Sequence, residues 1–242
     1  LFNQGRPGEA VAATDQAVAQ ASNPGARRVA REHRAFLLFA LGRTRDGLAL
    51  LPELLAMQQA DAQATPLVYR HHLRYLAPYA QVHGGEAALA WLRAATPAGL
   101  DPAIADYLRT AAETLVASTL ADAEGLASAT AARRAALASF DSSVSRQDRL
   151  LTDRYEAEGL HLSGQAADAL ARFRALEPAW REAYAEGQAS EPAGDNFYLP
   201  ALAAATTAGD LAQARQWLAL LQKSEPSDPN TLLAQARLRA AE

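Results

Sequence analysis

Leu160-His161-Leu162-Ser163-Gly164-Gln165-Ala166-Ala167-Asp168-Ala169-Leu170-Ala171-Arg172-Phe173 is the stretch on which the fold turns. Gly164 separates two runs of helix-forming residues, and a left-handed helix-ending residue strains glycine least. A second helix then starts within two or three residues. Ala169, five residues after the glycine, is small enough to let the two helix backbones approach. Phe173, one turn later, fills the space beyond, and Ala157, seven residues before the glycine, offers a matching small side chain on the first helix.

Moving outward, the same spacing recurs. Gly5, Gly42 and Gly209 are each followed at the fifth residue by a tiny one: Ala10, Gly47 and Ala214. Nine residues after these glycines stand Thr14, Leu51 and Leu218, and twelve after stand Ala17, Leu54 and Leu221, as Phe173 and Leu176 do after Gly164. Offsets of five, nine and twelve fall on one helical face. The spacing therefore predicts glycine-punctuated hairpins of antiparallel helices.

The stretch quoted above, and Ala35 to Leu54 with Ala35, Leu38, Gly42, Gly47 and Leu51, resemble the tetratricopeptide repeat consensus. The resemblance implies an all-α fold: a right-handed α-α superhelix, or tetratricopeptide-like solenoid, of about five to six antiparallel helix pairs. It would run through residues 1–242 as a single repeat domain. From Gly5 to Gly42 is 37 residues, from Gly164 to Gly209 is 45, and the 122 between Gly42 and Gly164 divide into three of about 41. Two further units are expected in that interval. One is placed at Tyr69 to Ala95, where Gly84-Gly85 opens a helix carrying Ala88, Leu92 and Ala95; the other, around Tyr107 to Phe140, is placed on Gly125 with poor agreement after it.

Proline breaks at Asn23-Pro24-Gly25, Thr65-Pro66, Thr96-Pro97, Asp101-Pro102, Glu191-Pro192 and Ser224 to Pro229 supply the joints, because proline disfavours helix at itself and at the residue before. Residues 186–195 read as a flexible linker. Leu1 to Gln4 read as the tail of a first helix and Thr231 to Ala241 as a first helix without its partner, so the chain is expected to be a piece of a larger protein.

Composition agrees with helices. Half the residues are hydrophobic and 21% are charged, enough for a core. Ala and Leu dominate the apolar set, aromatic residues make up only 7%, and β-branched residues are sparse, a balance that favours helix over strand. The net charge of −4 provides no basic footprint, so no nucleic-acid partner is expected. No apolar run reaches the ~20 residues of a membrane-spanning helix, so direct membrane insertion is not expected either. The absence of cysteine excludes disulfides, thiolate metal sites and a cysteine nucleophile. Lys223 is the only lysine, a bias that with the alanine content fits a GC-rich bacterial gene and leaves cytoplasm and periplasm equally open.

Catalytic and metal chemistry lacks its residues. Adjacent His71 and His72 point about 100° apart on a helix, and Glu32-His33 lacks a second histidine one turn on, so no metal or other cofactor is expected. Gly159 to Gly164 lacks the Gly-x-Ser-x-Gly spacing of a nucleophile elbow, and no Gly-rich phosphate loop with a lysine occurs. Asp106 with Glu113, and Glu156 with Glu158, read as solvated helix faces. Arg27, Arg31 and Arg34 form a basic stripe that Arg70 and Arg74 repeat; such a stripe can grip a carboxylate or phosphate, or can simply be ion-paired. The aromatic residues Phe36, Phe39, Tyr69, Tyr75, Tyr79, Trp91, Trp180, Phe197, Tyr198 and Trp217 are expected in the core between units.

In proteins of the family that the repeat resembles, the first helix of each pair lines a concave surface where a peptide or partner helix lies. That register turns Glu32 and Phe36 inward in the second unit, Arg70 and Arg74 in the third, and Arg154, Glu158 and His161 in the fifth. The resemblance thus implies a non-catalytic scaffold for a protein or peptide partner, with a periplasmic repeat region of an envelope or exopolysaccharide-export assembly as the alternative. The family's chaperone-binding subclass uses a lysine and asparagine pair on these helices, and the lysine is missing here.

Overall fold

The structure, a computed structural model, describes residues 6–59, 65–96, 99–139, 146–184, 197–224 and 229–242. Among them lie thirteen helices and no strand: α1 (Pro7–Gln20), α2 (Pro24–Ala40), α3 (Thr44–Leu48), α4 (Leu51–Gln59), α5 (Thr65–His83), α6 (Gly85–Ala94), α7 (Pro102–Thr119), α8 (Ala123–Ala138), α9 (Arg146–Leu162), α10 (Ala166–Tyr184), α11 (Tyr198–Thr207), α12 (Leu211–Ser224) and α13 (Pro229–Ala241). The all-α reading is therefore correct. The linker placed at 186–195, the tail at Leu1–Gln4 and Gly5 lie outside the described residues.

Local chemistry sets the helix ends. Asn23 and Asp101 each stand before a proline in the first turn, and their side chains accept hydrogen bonds from Ala26 N–H (2.8 Å) and from Ala103 N–H (2.9 Å). At the other ends one turn repeats. Gly42, Gly164 and Gly209 have φ of 70°, 81° and 79°. In each case the glycine N–H donates to the carbonyl three residues back (2.9, 3.0 and 3.1 Å) and the next N–H to the carbonyl five back (2.8, 2.9 and 2.9 Å). This paired bond is the Schellman motif, which satisfies carbonyls the helix leaves open and reverses the chain.

Between α7 and α8 the same motif is built on Ala121, with φ of 53° and bonds of 3.1 Å to Ser118 and 2.9 Å from Asp122 N–H to Ala117. Gly125, on which the sequence reading places this turn, lies instead in the first turn of α8, where its N–H is capped by Asp122. Counted from Ala121, the fifth, ninth and twelfth residues are Leu126, Thr130 and Arg133, all buried. Two of the three are polar, which explains why the apolar pattern fades there.

The small residues do what close packing requires. Ala157, Ala169 and Ala214 are fully buried, and a Cβ at Gly47 would run into the Phe39 ring. Most packing joins helices one or two apart in chain order: α1 on α2, α7 on α8, α9 on α10 and α11 on α12 as hairpins, and α5 on α7, α7 on α9, α9 on α11 and α11 on α13 as alternate helices. Across the short α3 and α4, aromatic rings of α2 and α5 also meet. The apolar core is correspondingly divided into successive clusters along the chain. The last of these in chain order centres on Phe197, whose ring meets Phe173 edge-on at 5.4 Å and Trp180 at 5.1 Å. Each such fully buried aromatic side chain contributes about 1.5–3 kcal/mol.

Candidate partner-binding surface

The residues placed on the inner face by sequence separate into enclosed and open ones. Glu32 is 9% exposed, lies 4.0 Å from the Arg28 guanidinium, and together with burial pushes the Tyr75 phenol up from its ordinary value. Phe36 stacks on Tyr75 at 5.6 Å and meets Phe39 edge-on, so its ring is part of the α2–α5 contact. Arg70 lies in α5 with its side chain outside the described set, and Arg74 is exposed.

Arg154, Glu158 and His161 follow one another along α9. Arg154 is only 3% exposed: its guanidinium lies 3.3 Å from Glu158 and 4.4 Å from the centre of the Tyr155 ring. Glu158 also accepts a hydrogen bond from Ser118 Oγ at 2.9 Å, which ties α9 to α7. Glu158 thus joins two helices, and Arg154 is enclosed beside it. His161 is half-buried, and its Nδ1 is buried with no hydrogen-bond partner. Burial holds the imidazole below its ordinary value, and the nearby Glu158 carboxylate opposes that shift.

His161 borders a cleft of about 420 Å³ between α9, α11 and α13. Leu199, Leu202 and Leu233 supply its apolar lining, and Thr207, Asn230 and Arg237 its polar edge. Among the described residues no carboxylate lines it. The register that the repeat resemblance implies brought His161 to notice, but nothing in the letters of α11 and α13 singled out Asn230 and Arg237.

Two of the three arginines of the stripe on α2 are ion-paired, Arg31 with Glu53 of α4 and Arg34 with Asp15 of α1 at 2.8 Å, while Arg27 is exposed. Asp106 and Glu113 both grip Arg109, at 2.5 and 2.7 Å, and Glu156 bridges Arg134 and Arg172. The tryptophans are built into packing: Trp180 and Trp217 are buried, and Trp91 stacks on Tyr79 at 4.6 Å with His72 at the same distance. Among the described residues no three His, Asp or Glu side chains are grouped to hold a metal ion, and no helix is long and apolar enough to cross a membrane. Comparison of the chain with protein-family models, with curated proteins and with solved structures finds no match.

Proposed function

We propose that this chain is a non-catalytic interaction scaffold, a tetratricopeptide-like solenoid that takes a peptide or protein partner along its alternate helices. The observation that carries this reading is the cleft between α9, α11 and α13, where three alternate helices meet around His161 and Arg237. Packing in chain order and the repeated helix-ending turn support a solenoid rather than a globule around one centre. A partly apolar cleft with a few convergent polar groups suits a side chain and the adjoining backbone of a partner. The role of Arg154 in this reading is to fix α9, not to touch the partner.

Panning a displayed peptide library against the chain tests it. Enriched peptides should bind saturably, and Arg237→Glu or Leu202→Trp should weaken them at least about tenfold, a change of ~1.4 kcal/mol, with the helical circular dichroism unchanged. Undiminished binding to both variants would place the partner elsewhere. Recovery of no binder at all would remove the scaffold reading.

A further inference from the structure

A second cavity, of about 850 Å³, lies on α6, α7 and α8 and shares no residue with the cleft above. Its floor is α7, where Leu108, Ala112 and Val116 stand at i, i+4 and i+8, a line about 12 Å long. Leu89 and Leu92 of α6 form one wall, and Ala129 and Ala132 of α8 the other. Leu120, 42% exposed, closes one end. A straight apolar trough between two helices, floored by a third, has the form into which the i, i+4 ridge of another helix packs.

The charges around it are polarised. Arg109 is held by both Glu113, with hydrogen bonds of 2.9 and 2.7 Å, and Asp106, so all three of these charged groups are already engaged with one another. That leaves Glu86 and Asp122 at the end where α6 and α8 begin, and Arg93 in the last turn of α6. None of these three has an ion-pair partner among the described residues, in a chain where most arginines do. Asp122 caps the α8 N-terminus and Arg93 reaches its own Leu89 carbonyl, and neither has an oppositely charged side chain paired with it among the described residues. Glu86 and Arg93 are seven residues apart on α6, about 10 Å, or two turns.

We infer that this groove docks an amphipathic α-helix of a partner protein. That helix carries a basic residue facing Glu86 and Asp122, an acidic residue seven positions away on the same face meeting Arg93, and leucine-like side chains between them on α7. The surface is distinct from the cleft at His161, so the two readings stand or fall separately.

Fluorescein-labelled synthetic helices of eighteen residues provide the probe. One carries Lys and Glu seven apart with two leucines between on that face; the other carries Glu at both positions. The native chain should bind the Lys/Glu helix saturably and about tenfold more tightly than the Glu/Glu helix, the size expected when one exposed attraction is turned into repulsion. Glu86→Lys should narrow that preference to below about threefold by gaining affinity for the Glu/Glu helix, an outcome that misfolding cannot produce. Ser128→Trp, which sets a ring across the mouth, should abolish binding of the Lys/Glu helix, while Arg237→Glu should leave it unchanged. No saturable binding by the native chain, equal affinity for the two helices, or full binding by Ser128→Trp overturns the proposal.

Discussion

Ala121 holds between α7 and α8 the helix-ending position that Gly164 holds between α9 and α10, with φ of 53° against 81° and the same pair of backbone hydrogen bonds. An L side chain in this conformation costs about 1–2 kcal/mol, which glycine does not incur. Ala121→Gly should therefore stabilise the chain, less about 0.4–1 kcal/mol for the greater freedom of an unfolded glycine. The expected net gain is about 0.5–1 kcal/mol, read as a rise in chemical-denaturation midpoint at constant slope. An unchanged or lower midpoint would mean that the Ala121 turn is not strained.

Gly47→Ala should act in the opposite direction. Its new methyl group would meet the Phe39 ring, itself held against Phe36 and Tyr75, so overpacking of about 1–3 kcal/mol is expected. Phe39→Leu in the same chain should recover part of the loss. A double variant no more stable than Gly47→Ala alone would argue against this contact.

Arg154→Ala should damage the fold rather than a binding surface. Removing the guanidinium leaves Glu158 without its ion partner inside the α7–α9 contact, and breaking a buried pair costs about 3–5 kcal/mol. Ser118→Ala, which removes one hydrogen bond to the same carboxylate, should cost only about 1 kcal/mol. Equilibrium unfolding in urea distinguishes the two.

His161 gives a pH signature whose sign follows from its burial. With the folded-state value held below the ordinary ~6.5, the unfolded chain takes up the proton first as pH falls. Stability is thus fully present above pH ~6.5 and declines as pH drops from there toward the lower folded-state value. His161→Gln should flatten that part of the profile. A carbon-bound proton resonance of His161 titrating above ~6.5 would contradict the assignment.

Small-angle scattering tests the packing in chain order. A compact domain of 242 residues has a radius of gyration of about 18 Å, and a stack of hairpins should exceed it clearly. A value at the compact limit would show that hairpins distant in the chain fold back on one another.

Hairpins on glycine were legible because a positive φ is a demand of the backbone alone, and Gly42, Gly164 and Gly209 advertise it in one letter. Ala121 meets the same demand without any such letter, and Thr130 and Arg133 occupy its hairpin's inner face with polar groups. Arg133 is tolerated there because Asp148 lies 3.5 Å away and Tyr107, which donates to Asp148 at 2.5 Å, lies under its guanidinium. Each of these partners is more than a dozen residues distant, so no local window contains the reason.

The candidate site divides in the same way. Helical spacing puts Arg154, Glu158 and His161 on one side of α9, but spacing is silent on what covers that side. The α7 helix reaches Glu158 through Ser118, whereas His161 lies one turn further on, beside the cleft that α11 and α13 form. Sequence by itself determined helix type, the glycine turns and the tight small-residue contacts, since these depend on backbone strain and side-chain volume within one hairpin. Only tertiary structure decided which polar side chains are buried, which arginines are paired and where grooves remain, because burial and charge compensation are properties of neighbours brought together across the chain.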